Sequence, residues 1–124
     1  MPHISNANPP RFEIPGASFV GVVAPSRGST ENAMWRTTVE PNTVGLEHHV
    51  TREEIVVAIR GQGVVHIGGD QYPLSPGDAF AIPAFTDFRL GCAGDEAFEA
   101  LTVLPAGARA VVPGKPSFQP PWSI

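Results

Sequence analysis

Short apolar or alternating runs, separated by turn-forming residues, follow one another along most of the 124-residue chain. In the run at 34–40, Trp35, Thr37 and Val39 fall on one side and the intervening residues on the other, which is the period of a β-strand. The run Glu54–Arg60 is rich in β-branched residues, which favour strands. We predict strands at residues 17–24, 34–40, 45–49, 54–60, 64–67, 71–74, 79–82, 87–91 and 97–104.

Glycine and proline supply the turns between these runs, with 13 Gly and 14 Pro in the chain. The sequences at 61–63 (GQG) and 68–70 (GGD) are typical of hairpin connections, and the one at 76–78 (PGD) is typical of a type II turn. Residues 28–33 are the one segment that could form a short helix. Short strands at close, regular spacing predict an all-β sandwich or barrel.

Proline-rich segments flank this central region. Prolines at 9, 10 and 15 exclude a helix or a central strand at 1–16, so we predict an extended arm there. The segment 112–124 holds four prolines, and its Phe118 and Trp122 should anchor it to the body of the protein. The predicted organisation is an arm at 1–16, a barrel at 17–111 and a packed tail at 112–124.

Composition and charge restrict the partners and the compartment. The net charge is −4 and no cluster of basic residues occurs, which argues against binding to nucleic acid or to an anionic membrane. Cys92 is the single cysteine, so no disulfide can form within the chain, as suits a reducing compartment. The N-terminus lacks the charged-then-apolar pattern of a signal peptide. We therefore expect a cytoplasmic protein.

The strand predicted at Glu54–Arg60 is apolar on both of its faces. A strand with one solvent-exposed face would alternate between apolar and polar residues. One face should therefore cover the interior, and the other should lie under the N-terminal arm or a second subunit. We expect a homodimer.

Two stretches carry a resemblance to a known family. Residues 41–61 read PNTVGLEHHVTREEIVVAIRG, in which six residues separate Glu54 from Gly61, and residues 69–89 read GDQYPLSPGDAFAIPAFTDFR. They resemble the two cupin motifs. The first is Gly, His-any-His, three or four residues, Glu, six residues and Gly; the second is a Pro-any-Gly-type turn, Ile-Pro and a His five residues later. The resemblance covers roughly residues 35–103 and implies one all-β domain with the cupin fold, a double-stranded β-helix or jelly-roll barrel.

The cupin resemblance also implies a metal site of three His and one Glu on adjacent strands. With four residues before Glu54, the His positions of the first motif fall on Glu47 and His49, and the last His position falls on Phe88. Glu47, His49 and Glu54 are thus the candidate metal and catalytic residues. One imidazole and two carboxylates could hold manganese, iron, nickel or zinc. Alternatively, they form a metal-free cluster that acts as general acid or base.

Other side chains could contribute to a pocket. His48 should point away from His49, towards the surface or an interface, unless the strand carries a bulge. Arg36 and Arg89 could anchor a substrate carboxylate, although a surface position is expected for both. Residues that could line a mainly apolar pocket, or equally belong to the core, are Trp35, Tyr72, Phe80, Phe88, His66 and Phe98.

These observations predict a cupin that binds a small organic metabolite in its barrel. An enzyme is expected, with the proton-transfer chemistry of an isomerase, lyase or cyclase, or with a metal-dependent reaction. A non-catalytic, metal-free barrel that binds or senses a metabolite is the first alternative. A metal-dependent dioxygenase is the second, and it is disfavoured because such iron sites usually need two His and a carboxylate, whereas one matching His is present.

Overall fold

The computed structural model describes residues 1–124, which form eleven β-strands and two single-turn 3-10 helices at Pro25–Arg27 and Pro121–Ser123. Neither helix has the length or the apolar sequence needed to cross a membrane. The strands are β1 (Arg11–Ile14), β2 (Ala17–Val23), β3 (Asn32–Val39), β4 (His49–Val50), β5 (Glu54–Arg60), β6 (Gly63–Ile67), β7 (Asp70–Leu74), β8 (Ala79–Ile82), β9 (Arg89–Cys92), β10 (Phe98–Pro105) and β11 (Ala110–Val111).

The strands form one large and two small antiparallel sheets. The large sheet has the order β1-β2-β3-β10-β5-β8, and the small sheets have the orders β7-β6-β9 and β11-β4. The predicted all-β jelly-roll class is confirmed, although the sheets do not close into a continuous barrel. The predicted N-terminal arm contributes β1, which pairs with β2 at the edge of the large sheet, a position that tolerates proline-rich flanks.

A tightly packed core fills one end of the molecule, between the large sheet and the β7-β6-β9 sheet. Val56 and Phe98 of the large sheet contact this core from one side, and Val65 and Leu74 contact it from the other. Gly63 of β6 lies so close to the ring of Phe98 that a Cβ there would clash with it. This end is therefore closed.

The second core lies at the other end, between the large sheet and the β11-β4 pair. Trp35 and Leu104 of the large sheet pack with Val50 and Ala110. The C-terminal tail covers one side, where the ring of Trp122 stacks on Phe19 with centroids 3.9 Å apart. These elements leave a cavity between them.

The local predictions succeeded for continuous runs of apolar residues that turn-forming residues bound. The bounds of β5 and β8 are those predicted, whereas the strand predicted at 45–49 is mostly a loop. Gly45 has a left-handed φ of +91° and lies against the backbone of Leu90, so the chain cannot stay extended there. The possible helix at 28–33 does not form, because β3 already begins at Asn32. The connection at 61–62 links two different sheets and is not a hairpin turn.

Candidate functional site

A cavity of about 800 Å³ opens at the end of the molecule covered by β4, β11 and the tail. The large sheet forms its floor, and the N-terminal arm and the C-terminal tail form parts of its wall. Its polar lining comes from Glu13, Thr37, Thr43, His48, Glu54 and Thr102. Its aromatic lining comes from Phe12, Phe19, Trp35, Phe88, Phe118 and Trp122.

The floor of the cavity crosses four neighbouring strands of the large sheet. Phe19 of β2 lies opposite Thr37 of β3, Thr102 of β10 follows, and Glu54 of β5 lies beyond it. Because adjacent strands are about 4.8 Å apart, the floor from Phe19 to Glu54 is about 14 Å wide. The aromatic side and the acidic side of the cavity are thus separated by the strands that carry Thr37 and Thr102.

Glu54 is a buried carboxyl group that faces this cavity. It begins β5 on the same face as Val56 and Ala58, and it is only 7% exposed. It forms no hydrogen bond or salt bridge with another residue, and its oxygens remain accessible from the cavity. Burial raises the pKa of Glu54 from its ordinary 4.5 to about 7, because the charged form loses hydration without gaining a partner. Glu54 therefore keeps its proton at pH values where an exposed glutamate is ionised.

His48 is the second titratable group of the cavity interior. Its Nδ1 lies 2.8 Å from the carbonyl oxygen of Leu46, which can only accept, so Nδ1 carries the proton. Nε2 has no protein partner and keeps its lone pair in the neutral ring. Burial lowers the pKa of His48 from 6.5, and the neighbouring charge of His49 acts in the same direction. His48 is therefore mainly neutral near pH 7 and can accept a proton.

Two threonine hydroxyls lie in the floor between the aromatic side and Glu54. The Oγ1 atoms of Thr37 and Thr102 are 2.9 Å apart and hydrogen-bonded, and both residues are buried. One hydroxyl donates to the other, so the pair retains one O–H donor and free lone pairs. Because both residues line the cavity, these groups are available to a bound oxygen atom.

The orientation predicted for the adjacent histidines is wrong. His48 faces the cavity, whereas Nδ1 of His49 lies 2.9 Å from Oδ1 of Asp87 and does not line the cavity. The two histidines do face opposite ways, but the prediction chose the inward one by counting four residues back from Glu54 in the cupin motif. His48 and Val50 share the inward face, with His49 between them on the other.

The three residues predicted to share one site are therefore not brought together. Glu47 is exposed and pairs with Arg89 at 3.4 Å, outside the cavity. His49 and Asp87 form a separate pair. Of the predicted set, only Glu54 lines the cavity.

The predicted pocket residues also divide between the two ends of the molecule. Trp35 and Phe88 line the cavity as expected. The other four do not, because the strands that carry them cover or fill the closed end. Phe98 is fully buried under β6, Tyr72 is 40% exposed on β7, Phe80 packs beside Tyr72, and His66 is half-buried on β6.

Several lining residues were not among the predicted site residues. Thr37 shares its strand face with Trp35, so alternation alone could have placed it in the site. The contributions of Phe12, Phe19 and Trp122 depend on how the arm and the tail fold back over the large sheet. No local pattern in the sequence carries that information.

A family model described as Cupin domain matches residues 35–104, which is more than half of the chain. The protein therefore belongs to the cupin domain family. No curated protein matches the sequence.

Solved structures share the fold at low sequence identity. The polyketide cyclase RemF from Streptomyces resistomycificus is 15% identical with a TM-score of 0.76, over 98% of this chain and 88% of that chain. A cupin-like protein from Thermotoga maritima is 20% identical with a TM-score of 0.68, over 77% and 76%. Salicylate 1,2-dioxygenase from Pseudaminobacter salicylatoxidans is 17% identical with a TM-score of 0.70 over 83% of this chain. The chain spans about a third (32%) of the length of that dioxygenase.

The cavity also shows which spacing of the first cupin motif applies. With three residues before Glu54, the two His positions fall on His48 and Val50, and both face the cavity together with Glu54 and Phe88. Two of the four metal-ligand positions implied by the family therefore hold hydrophobic side chains. No group of three or more His, Cys, Asp or Glu side chains in the protein is arranged to hold a metal ion. One imidazole and one carboxyl group do not fit the metal site of the family.

Proposed function

We propose that this small-molecule-binding cupin is an enzyme that moves protons on its ligand, with Glu54 and His48 as the exchanging groups. The observation that carries the proposal is the Glu54 carboxyl, buried in an apolar cavity without a protein partner. His48 lines the same cavity with a free Nε2. A carboxyl group kept unpartnered inside a protein destabilises the fold when ionised, so its presence needs a reason outside the fold.

The directions of the pKa shifts assign a role to each group. Glu54 holds its proton up to about pH 7, and His48 loses its own proton below pH 6.5. Between these values, the cavity contains a neutral acid and a neutral base. On a bound ketone, Nε2 of His48 takes the proton from the carbon next to the carbonyl, and the C–H electron pair forms a C=C bond. The carbonyl oxygen takes the proton of Glu54, which leaves an enol, a carboxylate and an imidazolium.

This enolisation is the shared first step of many isomerases, lyases and cyclases. RemF, described as a polyketide cyclase, matches nearly the whole of this chain in fold, which supports a cyclase among these classes. The dioxygenase alternative has less support, because the cavity offers one His and one Glu where such sites use two His and a carboxylate. The non-catalytic alternative is favoured by one observation, the hydrophobic residues Val50 and Phe88 at two family ligand positions.

The test is solvent deuterium exchange into α-tetralone, a neutral bicyclic ketone with an enolisable carbon. We expect the protein to accelerate exchange above the buffer rate. The rate should be highest between the lowered pKa of His48 and about pH 7, and should fall on either side as His48 protonates or Glu54 ionises. Glu54→Gln and His48→Gln should each reduce the rate at least about a hundredfold, which is the lower edge of typical acid–base contributions.

Two matched variants control for general effects on the fold. His49→Gln and Glu47→Gln alter residues of the same type outside the cavity, and each should leave the exchange rate within about twofold. Tetralone that binds by equilibrium dialysis but exchanges no faster than in buffer would contradict the catalytic proposal and favour the binding-module alternative. Equal losses in His49→Gln and His48→Gln would contradict the assignment of His48.

A further inference from the structure

The cavity lining contains no Lys or Arg side chain. Both arginines considered from the sequence lie elsewhere. Arg36 is exposed, on the face of β3 opposite to Trp35 and Thr37, and Arg89 donates to the carbonyl of Gly45 and to Glu47. An anionic ligand would therefore find no cation in the cavity to compensate for its lost hydration.

The charged groups that do line the cavity are acids. Glu13 on β1 is an exposed lining residue whose carboxylate already pairs with the guanidinium of Arg11 at 3.6 Å, and Glu54 is buried at the floor of the cavity. A carboxylate entering the cavity would be repelled by Glu54 once Glu54 ionises, and the apolar walls screen this repulsion less than water does. The electrostatics therefore select against carboxylates and phosphates.

The shape and the chemistry of the floor indicate what the cavity selects for. The floor is about 14 Å wide by strand spacing, which suits several fused rings lying flat. Its aromatic side is formed by Phe19, stacked on Trp122, with Trp35 at 6.4 Å from Trp122, and aromatic faces and edges favour another ring system. The Thr37–Thr102 pair offers the remaining O–H donor to an oxygen on that ring.

We infer that the cavity takes a neutral, flat, fused-ring molecule bearing carbonyl or hydroxyl oxygens, and that it rejects the same ring system when it carries a carboxylate. This inference names the ligand class for the proposed function. It rests on that function in one respect, because the ring system must reach the proton-exchanging groups Glu54 and His48. The binding claim itself is tested without turnover.

The test compares danthron and rhein, which share one dihydroxyanthraquinone ring system and differ by a single carboxylate. Both tryptophans of the protein line the cavity, so quenching of their fluorescence reports binding, and equilibrium dialysis gives an independent Kd. We expect danthron to bind at least tenfold more tightly than rhein at neutral pH. Phenol, a single ring, should bind more weakly than danthron.

A variant that adds a positive charge to the cavity lining tests why danthron should bind more tightly than rhein. Leu46 lines the cavity and is 55% exposed, so Leu46→Arg adds a cation at little structural cost. Leu46→Arg should narrow the ratio of the danthron and rhein affinities to threefold or less. Glu13→Gln should narrow this ratio by a smaller factor, because Glu13 is exposed and already paired with Arg11. Glu31→Gln removes an exposed acid that does not line the cavity and should leave both affinities unchanged.

Two outcomes would overturn the inference. One is binding of rhein as tightly as danthron to the unmodified protein, and the other is failure of both rings to bind. The proposed function fails separately, because tetralone exchange can be absent while danthron is still preferred over rhein. Conversely, the protein could accelerate tetralone exchange through Glu54 and still bind danthron and rhein equally. That result would support the proposed function and contradict the inferred ligand class.

Discussion

His48 and Phe88 face each other across an antiparallel bridge, with ring centroids 4.3 Å apart. Phe88 belongs to the closed core and also lines the cavity, so the His48 ring rests on a rigid support. Phe88 occupies the last His position of the cupin motifs, and its neighbour His48 occupies the first. The hydrophobic side chain of Phe88 thus occupies a position where the family resemblance implies a metal ligand.

Restoring histidine at the two hydrophobic positions should create a metal site. With Val50→His and Phe88→His, the cavity gains the complete set of three His and one Glu, which suits nickel, manganese or zinc. We expect about one metal ion per chain in the double variant by inductively coupled plasma mass spectrometry, and none in the unmodified protein after the same incubation.

Adding Glu54→Gln to this double variant should reduce its metal content. A stoichiometric metal in the unmodified protein that disappears in His48→Gln would contradict our interpretation of the donor set. The Phe88 change removes a buried ring and should lower the free energy of unfolding by about 3 kcal/mol without metal, so folding is checked first by circular dichroism.

The raised pKa of Glu54 makes stability depend on pH. The folded pKa of about 7 exceeds the ordinary value of 4.5, so the folded state holds this proton more tightly than the unfolded state. The resulting stabilisation is complete below about pH 4.5 and is lost as pH rises to about 7. The free energy of unfolding of the wild type relative to Glu54→Gln should therefore fall by about 3 kcal/mol across this interval.

Urea unfolding of both proteins at a series of pH values measures this difference. His48 contributes with the opposite sign, because its lowered pKa makes stability fall as pH decreases below 6.5, but it is present in both proteins. Glu47→Gln serves as the control, since it alters an exposed acid, and its difference from the wild type should vary little. If the free energies of unfolding of the wild type and of Glu54→Gln differ by the same amount at pH 4.5 and at pH 7, Glu54 is not a buried, unpartnered carboxyl.

Trp122 should hold the C-terminal tail against the cavity. Its ring stacks on Phe19 and lies 6.2 Å from Phe12, so one side chain links the tail to both strands of the β1–β2 pair. Trp122→Ala should lower the free energy of unfolding by about 2 kcal/mol and speed amide hydrogen exchange across 112–124. Ile124→Ala changes an exposed side chain two residues away and should do neither. Unchanged exchange in Trp122→Ala would show that the tail is held by other contacts.

The outer face of β5 remains a predicted dimer surface. Ile55 and Val57 are only half-buried there, and Ile59 is 41% exposed. Burying this apolar face against a second copy would stabilise a dimer. Light scattering at micromolar concentration should give the mass of two chains, and Val57→Lys should reduce it to one. Gln71→Lys on the exposed strand β7 is the control, and a monomeric wild type would refute the prediction.

The sequence contained enough information for the class of fold and for part of the cavity floor. The β-branched pattern of β5 predicted its bounds, the cupin resemblance implied the inward position of Glu54, and alternation in β3 put Thr37 on the same face as Trp35. These features depend on the strand period, which is a local property of the chain.

The histidine pair and the extent of the cavity required the structure. The cupin motif allows three or four residues before Glu54, and the cavity shows that three applies, so that His48 and not His49 faces inward. Phe98 and Trp35 have similar inward positions on paired strands, yet β6 covers the first and the cavity lies over the second. Which sheet covers which end is set by long-range packing.

The most direct test of the account is the titration of the Glu54 side chain itself. Carbon-13 labelling of glutamate side chains, with Glu54→Gln used to assign the resonance, follows this one carboxyl by nuclear magnetic resonance. We predict a midpoint at about pH 7, as expected for an unpartnered acid facing an apolar cavity. A midpoint near 4.5 would mean that Glu54 is hydrated or paired in solution, and it would contradict its role as the proton donor of the cavity.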